Sequence, residues 1–257
     1  MNKFEGLRKK FEEKEKLVML TAYDVVMGRI LDEAGIDLVL VGDSMAMVVL
    51  GDKNTKEISL DEMINHTRAV SRGVEKAIVI GDMPIGTYDE PEQALENTRK
   101  FLDAGADAIK IEGNKREVLK KLIENGIQVQ AHLGLLPQTA KEMKVQGRTE
   151  EQAKEILRDA KEVAEQGCFS LVLECVPQKL AKRITKEIDI PTIGIGAGIH
   201  CSGQVLVIND LLGLFDDFKP KFVKRYADVR KTIFDAVVEF KKDVKNGKFP
   251  DETHSFK

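Results

Sequence analysis

The residues of this chain best able to do chemistry recur at one kind of place, the end of a short apolar run. Asp24, Asp43, Asp82, Glu112, His132, Glu174 and Asp210 each close such a run. An aspartate there also has a plain structural use, because its side chain caps the helix that follows. We expect that use for Asp24 and Asp210. Glu112 and Glu174 fit it poorly. Glutamate is a weak N-cap, and a carboxylate ending an apolar strand is costly to bury unless a cation or a donor compensates.

Lys110 and Glu112 form the sharpest pair. Residues i and i+2 of a strand share a face, so these two point one way while Ile109 and Ile111 point the other. Taken alone, the pair reads equally well as a structural salt bridge. One lysine cannot neutralise Asp43, Asp82, Glu112 and Glu174 together, whereas a bound divalent cation would. Carboxylates without a thiolate cluster suit a hard ion, Mg2+ or Mn2+, over zinc. Such an ion polarises the carbonyl of a 2-oxo acid and stabilises its enolate. In that chemistry Glu174 is the candidate base, and Lys110 offsets developing negative charge. His132 either ligates or donates a hydrogen bond. His66, His200 and His254 read as ordinary structural or loop side chains. The glycines of 194–198 match a phosphate loop no better than they match close backbone packing. The Gly and Pro of 134–138 need only a turn.

Positioning these groups takes eight elements. The apolar runs are 17–24, 37–44, 77–84, 108–113, 128–134, 170–177, 191–198 and 205–213. Continuous β-branched runs of this length read as buried parallel strands. Helical stretches lie between most of them. Ser59 with Glu62, and Thr149 with Gln152, read as capping boxes. Pro91 opens a helix that Gly105 ends, and Gly167 closes another. Eight strands with intervening helices predict a (β/α)8 barrel, a TIM barrel, with a doubly wound open sheet as the alternative. Residues 2–13 add an extra N-terminal helix and 226–244 a last one. No linker divides the chain, so 1–257 reads as a single barrel domain. In a barrel the C-terminal strand ends share one rim, which gathers the ionisable residues.

Composition narrows the class. Of 257 residues, 43 are acidic and 40 are Lys or Arg, a formal net charge of -3. That balance gives no basic field for nucleic acid. No apolar run reaches the ~18 residues a membrane span needs, and the charged start lacks a signal-peptide core. Cys168, Cys175 and Cys201 are an odd set without metal spacing, which suits free thiols in a reducing compartment.

Eleven segments carry a resemblance: LTAYD, AGIDLVLVGDS, DEMINHTRAV, GDMP, KIEG, HLGLLPQ, VQGR, LVLECVP, IPTIGIGAG, GQVLV and NDLLG, in this order. Together they resemble the ketopantoate hydroxymethyltransferase family, from about residue 21 to the terminal GKFPDETHSF. The resemblance implies a Mg2+-binding (β/α)8 barrel. It implies transfer of a one-carbon unit from 5,10-methylenetetrahydrofolate to 3-methyl-2-oxobutanoate, giving 2-dehydropantoate for pantothenate and coenzyme A synthesis. It marks Asp43 and Asp82 as metal ligands, with Glu112 completing the site through water. Asp43, Ser44, Asp82 and Lys110 become contacts to the oxo acid, His132 lines the pocket, and Glu174 transfers the proton. Ser44 reads from the sequence alone as a helix cap. The family pattern also implies a cytoplasmic homo-oligomer, a decamer built from dimers. Ala131, Ser202 and Ile85 depart from the family's common Gly, acid and Phe, which touches loop shape and not the metal or base positions. Two other readings stand beside this one. One is a Mg2+-dependent lyase or mutase of the phosphoenolpyruvate mutase and isocitrate lyase kind, which generally needs a cysteine loop. The other is a non-enzymatic barrel scaffold, which would have lost its rim ionisables.

Overall fold

The computed structural model describes residues 2–216 and 220–256. Its strands are β1 (Leu17–Thr21), β2 (Leu38–Val41), β3 (Ile78–Asp82), β4 (Ala108–Glu112), β5 (Val129–Gly134), β6 (Ser170–Glu174), β7 (Thr192–Ile195) and β8 (Gly203–Leu206). They pair in parallel and in chain order, and β8 closes on β1. The expected (β/α)8 barrel is what forms. β2, β3 and β4 are buried at every position, as strands covered by the barrel core inside and helices outside must be. Met19, Leu38, Ile78, Ile80, Ala108, Val172, Ile193 and Val205 pack into one core cluster.

The helices of this part are α1 (Lys3–Glu12), α2 (Val25–Glu33), α3 (Leu60–Ser71), α4 (Pro91–Asp103), α5 (Arg116–Glu124), α6 (Glu150–Glu165) and α7 (Gln178–Glu187). Their ends follow the expected caps. Ser59 and Glu62 complete a capping box, and Pro91 is the first residue of α4. Thr149 accepts from the Gln152 N–H at 3.2 Å. Gln152 returns no side-chain bond among the described residues, so only half of that box forms.

The eighth unit differs from expectation. β8 starts at Gly203 and ends at Leu206, not 205–213, and Ile208–Leu211 is helical. Residues 196–202 join β7 to β8 with no helix. An apolar run alone does not separate a buried strand from a buried helical turn. A π-helical turn, Ala46–Leu50, follows β2.

The extra helix α1 works at the strand-entry end. Leu7 joins the core cluster, and Phe4 meets Phe169 edge-on at 5.2 Å. Asp37 and Asp107 each follow a helix ended by Ala-Gly, and each does the same job. Asp37 accepts from Val18 N–H at 2.8 Å and Lys10 Nζ at 2.6 Å. Asp107 accepts from Val79 N–H at 2.9 Å and Lys3 Nζ at 2.8 Å. One carboxylate thus ties the preceding strand and α1 to the loop entering the next strand.

Where the sequence shows no linker, the structure divides into two compact units, Met1–Val207 and Ile208–Lys257. The closed barrel lies wholly in the first. The second holds α8 (Ile208–Leu211), α9 (Val229–Lys245) and a 3-10 turn, Glu252–His254. Asp228 caps α9, and Asp216 pairs with both Arg225 and Arg230 at 3.0 Å. None of α9 is buried, although Ile233, Phe234, Val237, Val238, Phe240 and Val244 are apolar. Among the described residues no helix is long and apolar enough to cross a membrane.

Candidate active site

The parallel register sets the site like a staircase. Asp82 lies opposite Lys110, Glu112 opposite His132, and Gly134 opposite Glu174. Lys110 and Glu112, two apart on β4, share the inward face as their spacing predicts. Lys110 Nζ lies 2.5 Å from Asp82 Oδ1. Asp82 Oδ2 accepts the Asp43 N–H at 3.2 Å. His132 Nδ1 is 3.6 Å from Glu112 Oε1, and its Nε2 is 3.3 Å from Glu174 Oε2. Asp43, Asp82, Lys110, Glu112 and His132 are all buried, and Glu174 is half-buried at the rim. Six of the seven expected site residues therefore form one connected cluster.

Ser44, the seventh, stands next to Asp43, and its Oγ lies 2.9 Å from the Tyr23 hydroxyl. It caps no helix: the turn after it is entered through Met45 without a side-chain bond. Asp24 caps α2 as expected, accepting the Met27 N–H at 2.8 Å. Asp210 lies inside the first turn of α8 and is not its cap. His66 bonds the carbonyl of Tyr23 through Nδ1 at 2.6 Å, in keeping with its structural reading.

Sequence reasoning missed two members of the cluster. Tyr88 and Gln138 sit on the loops after β3 and β5, both buried. The Tyr88 hydroxyl donates to Gln138 Oε1 at 2.5 Å and accepts the Glu112 N–H at 3.4 Å. Gln138 Nε2 donates to Asp43 Oδ2 at 3.0 Å. Its backbone N–H donates to Glu112 Oε2 at 3.2 Å. No periodicity marks such loop residues, and the turn-forming Gly and Pro beside Gln138 explained that segment without it.

The electrostatics follow from crowding like charges in a dry place. Burial, reinforced by Asp82, pushes the Asp43 carboxyl up to about 7. Burial pushes Glu112 up to about 9, with Lys110 opposing and Asp43 and Asp82 adding to the rise. Burial alone would lower Lys110, but the carboxylates of Asp82, Asp43 and Glu112 outweigh it and hold the ammonium charged. Burial lowers His132 and keeps it neutral. Neither of its ring nitrogens makes a hydrogen bond among the described residues, although two carboxylates flank it.

This donor set fits a hard dication. Among the described residues no group of three or more His, Cys, Asp or Glu side chains is placed to hold a metal ion by itself. Mg2+ does not require one, since it is usually held by one or two carboxylates and keeps several waters. The linked pair Asp43 and Asp82 could ligate directly, with Glu112 reached through water. A cation there would offset both the burial and the carboxylate repulsion that raise Asp43 and Glu112.

The backbone holds Glu174 from both sides. Gly134 has φ +99°, and a Cβ on it would lie 2.3 Å from the Glu174 carbonyl oxygen. Cys175, the next residue, has φ 47°. Its N–H donates to Ile195 O at 2.8 Å, and its carbonyl accepts from Gln146 N–H at 2.9 Å. A non-glycine residue in this region is strained and persists where its surroundings over-determine it. The Cys175 thiol is pushed by burial up to about 11, so it is a poor nucleophile. All three cysteines are free.

The profile of the ketopantoate hydroxymethyltransferase family matches residues 2–252. The chain is 50% identical to 3-methyl-2-oxobutanoate hydroxymethyltransferase of Syntrophus aciditrophicus, covering 98% of this chain and 94% of that one. It is 48% identical to the protein of the same name from Thermotoga maritima, covering 96% and 94%. Among solved structures it resembles phosphonopyruvate hydrolase in complex with oxalate and Mg2+, with TM-score 0.65, 12% identity and coverage of 99% and 93%. It also resembles 2,3-dimethylmalate lyase, with TM-score 0.63, 17% identity and coverage of 99% and 92%. These two likenesses concern the fold alone. With the rim cluster, the near-complete profile match and relatives at half identity in hand, the chain belongs to the ketopantoate hydroxymethyltransferase family and is an enzyme.

Proposed function

We propose that the rim site transfers a one-carbon unit from 5,10-methylenetetrahydrofolate to 3-methyl-2-oxobutanoate and yields 2-dehydropantoate. The observation that carries this reading is the buried cluster of Asp43, Asp82 and Glu112 around Lys110, with Glu174 at its edge. Asp43 and Asp82 would hold Mg2+, and Glu112 would join through water. When bound, the ion would supply Lewis-acid polarisation of the oxo acid's carbonyl, which would make the C3–H more acidic.

The remaining work falls to side chains. Ser44 contacts the oxo acid beside Asp43 and Asp82, and the Tyr23 hydroxyl holds Ser44 in place. Lys110, kept charged by its carboxylate neighbours, offsets the negative charge that grows on the keto oxygen. Neutral His132 lines the pocket and lies against Glu174. Glu174 takes the C3 proton, and the electron pair left on C3 forms the new bond to the one-carbon unit released from the folate. Water supplies the hydroxyl oxygen, both bonds from the carbon to the folate nitrogens break, and the C3 proton and one proton of the water leave with the tetrahydrofolate. The family resemblance also assigns the enzyme to the cytoplasm and to a homo-oligomer, a decamer built from dimers. The exposed apolar residues of α9 support association.

The test is hydrogen exchange at C3 of 3-methyl-2-oxobutanoate in deuterium oxide, with Mg2+ present and folate absent. Wild-type enzyme exchanges this proton, and Glu174→Gln loses at least about 10²-fold in rate. Normal exchange by Glu174→Gln would remove it as the base.

A further inference from the structure

Gln138 is 1% exposed although it lies on a loop, and its side chain is fully engaged. Nε2 donates to Asp43 Oδ2 and to the Met83 carbonyl, each at 3.0 Å, while Oε1 receives the Tyr88 hydroxyl at 2.5 Å. The Met83 carbonyl can only accept, so the amide fits one way round. Tyr88 must then donate. The backbone N–H of the same residue is spent on Glu112 Oε2 at 3.2 Å. One loop residue therefore fixes one oxygen of Asp43 and one oxygen of Glu112, carboxylates that come from different strands.

We propose that Gln138 is a positioning residue for the cation site. It restrains Asp43 Oδ2 and Glu112 Oε2 and leaves Asp43 Oδ1 and Glu112 Oε1 as the oxygens available to an ion and its water. Tyr88 sets the amide's orientation from behind. The proposal rests on the reading that Asp43, Asp82 and Glu112 hold Mg2+, and it deepens that reading. Two carboxylates free to rotate in a dry pocket would bind each other's donors or turn away. Groups hydrogen-bonded to metal ligands usually contribute about 10- to 100-fold in metal affinity. A purely structural role, fastening the loop after β5 to the barrel, would affect folding and leave ion affinity alone.

The two roles separate in a titration of the full-length protein with Mg2+ by calorimetry, with 3-methyl-2-oxobutanoate present. Gln138→Leu keeps the volume and removes the donors. It is expected to raise the Mg2+ Kd about 10- to 100-fold. Tyr88→Phe, which keeps both Gln138 donors and loses their anchor together with the long 3.4 Å bond from the Glu112 N–H, is expected to weaken binding less and in the same direction. The melting temperature of the metal-free variants reports the structural component separately. A folded Gln138→Leu with the wild-type Kd overturns the proposal. If that variant does not fold, an unchanged Kd in Tyr88→Phe overturns it instead. A wild-type protein that takes up no Mg2+ would fail the ion reading itself, a result distinct from variants that bind as wild type does.

Discussion

At the scale of single residues, the site is an exercise in surplus negative charge. Glu112 was legible in the sequence because glutamate at the end of an apolar strand has no cheap structural use, and Lys110 because the i, i+2 spacing fixes its face. Ser44 was legible only through resemblance, since a serine after a strand looks like a cap. Gln138 and Tyr88 were not legible, because their role depends on which strand ends the loops return to. Asp82 uses both of its oxygens, holding Lys110 through one and the Asp43 N–H through the other. Asp82→Asn preserves the shape and removes the charge. We expect its kcat/KM to fall by at least about 10²-fold, the scale on which charge-stabilising groups act. Far-ultraviolet circular dichroism should be unchanged, and near-normal turnover would contradict the role. An excess of chelator should stop wild-type turnover, with recovery on adding Mg2+; full activity in chelator would remove the ion from the account.

At the scale of elements, the strand ends matter through their close approach. Gly134 and Glu174 lie opposite each other on β5 and β6, and a Cβ at Gly134 would meet the Glu174 carbonyl at 2.3 Å. Gly134→Ala must push that carbonyl away, and it also strains a backbone at φ +99°. We expect about 1–3 kcal/mol of lost stability and a slower C3 exchange, read by denaturant unfolding and by nuclear magnetic resonance. A rate equal to wild type would show that Glu174 does not depend on this contact.

Asp32 illustrates an element joint away from the site. Its Oδ1 accepts the N–H groups of Lys76 at 2.9 Å and Ala77 at 2.8 Å, just ahead of β3. Burial alone would raise its pKa, but these hydrogen bonds win and hold it below the usual carboxylate value. A depressed carboxylate contributes stability above its unfolded pKa and loses it as pH falls through the folded value. Asp32→Ala should therefore cost about 1–3 kcal/mol at neutral pH. That deficit should shrink below about pH 4. A deficit independent of pH would contradict the charge's part. The two Ala-Gly helix ends and the aspartate that follows each stand in the sequence. The strand N–H groups that those aspartates bind could not be read there, since they come from the neighbouring unit.

At the scale of the whole molecule, eight apolar runs in order carried the barrel, and only a few residues separate the seventh run from the eighth, where the structure has no helix. The end of the eighth run misled, because Leu211 and Leu212 carry its apolar character past Asn209 and Asp210, where the chain has already turned helical. The exposed apolar residues of α9 have a consequence for assembly. A 28.7 kDa chain should sediment as a multimer, and Phe240→Asp should shift it to a smaller species. A wild-type monomer would contradict the assembly.

The central claim is that Asp43 and Asp82 share one hard dication, with Glu112 in its water shell. It is tested most directly by anomalous diffraction from crystals of the wild-type enzyme grown with Mn2+ and 3-methyl-2-oxobutanoate. The account predicts one peak in contact with Asp43 and Asp82 and with the oxo acid. A map with no peak there, or with the ion bound elsewhere, would contradict it.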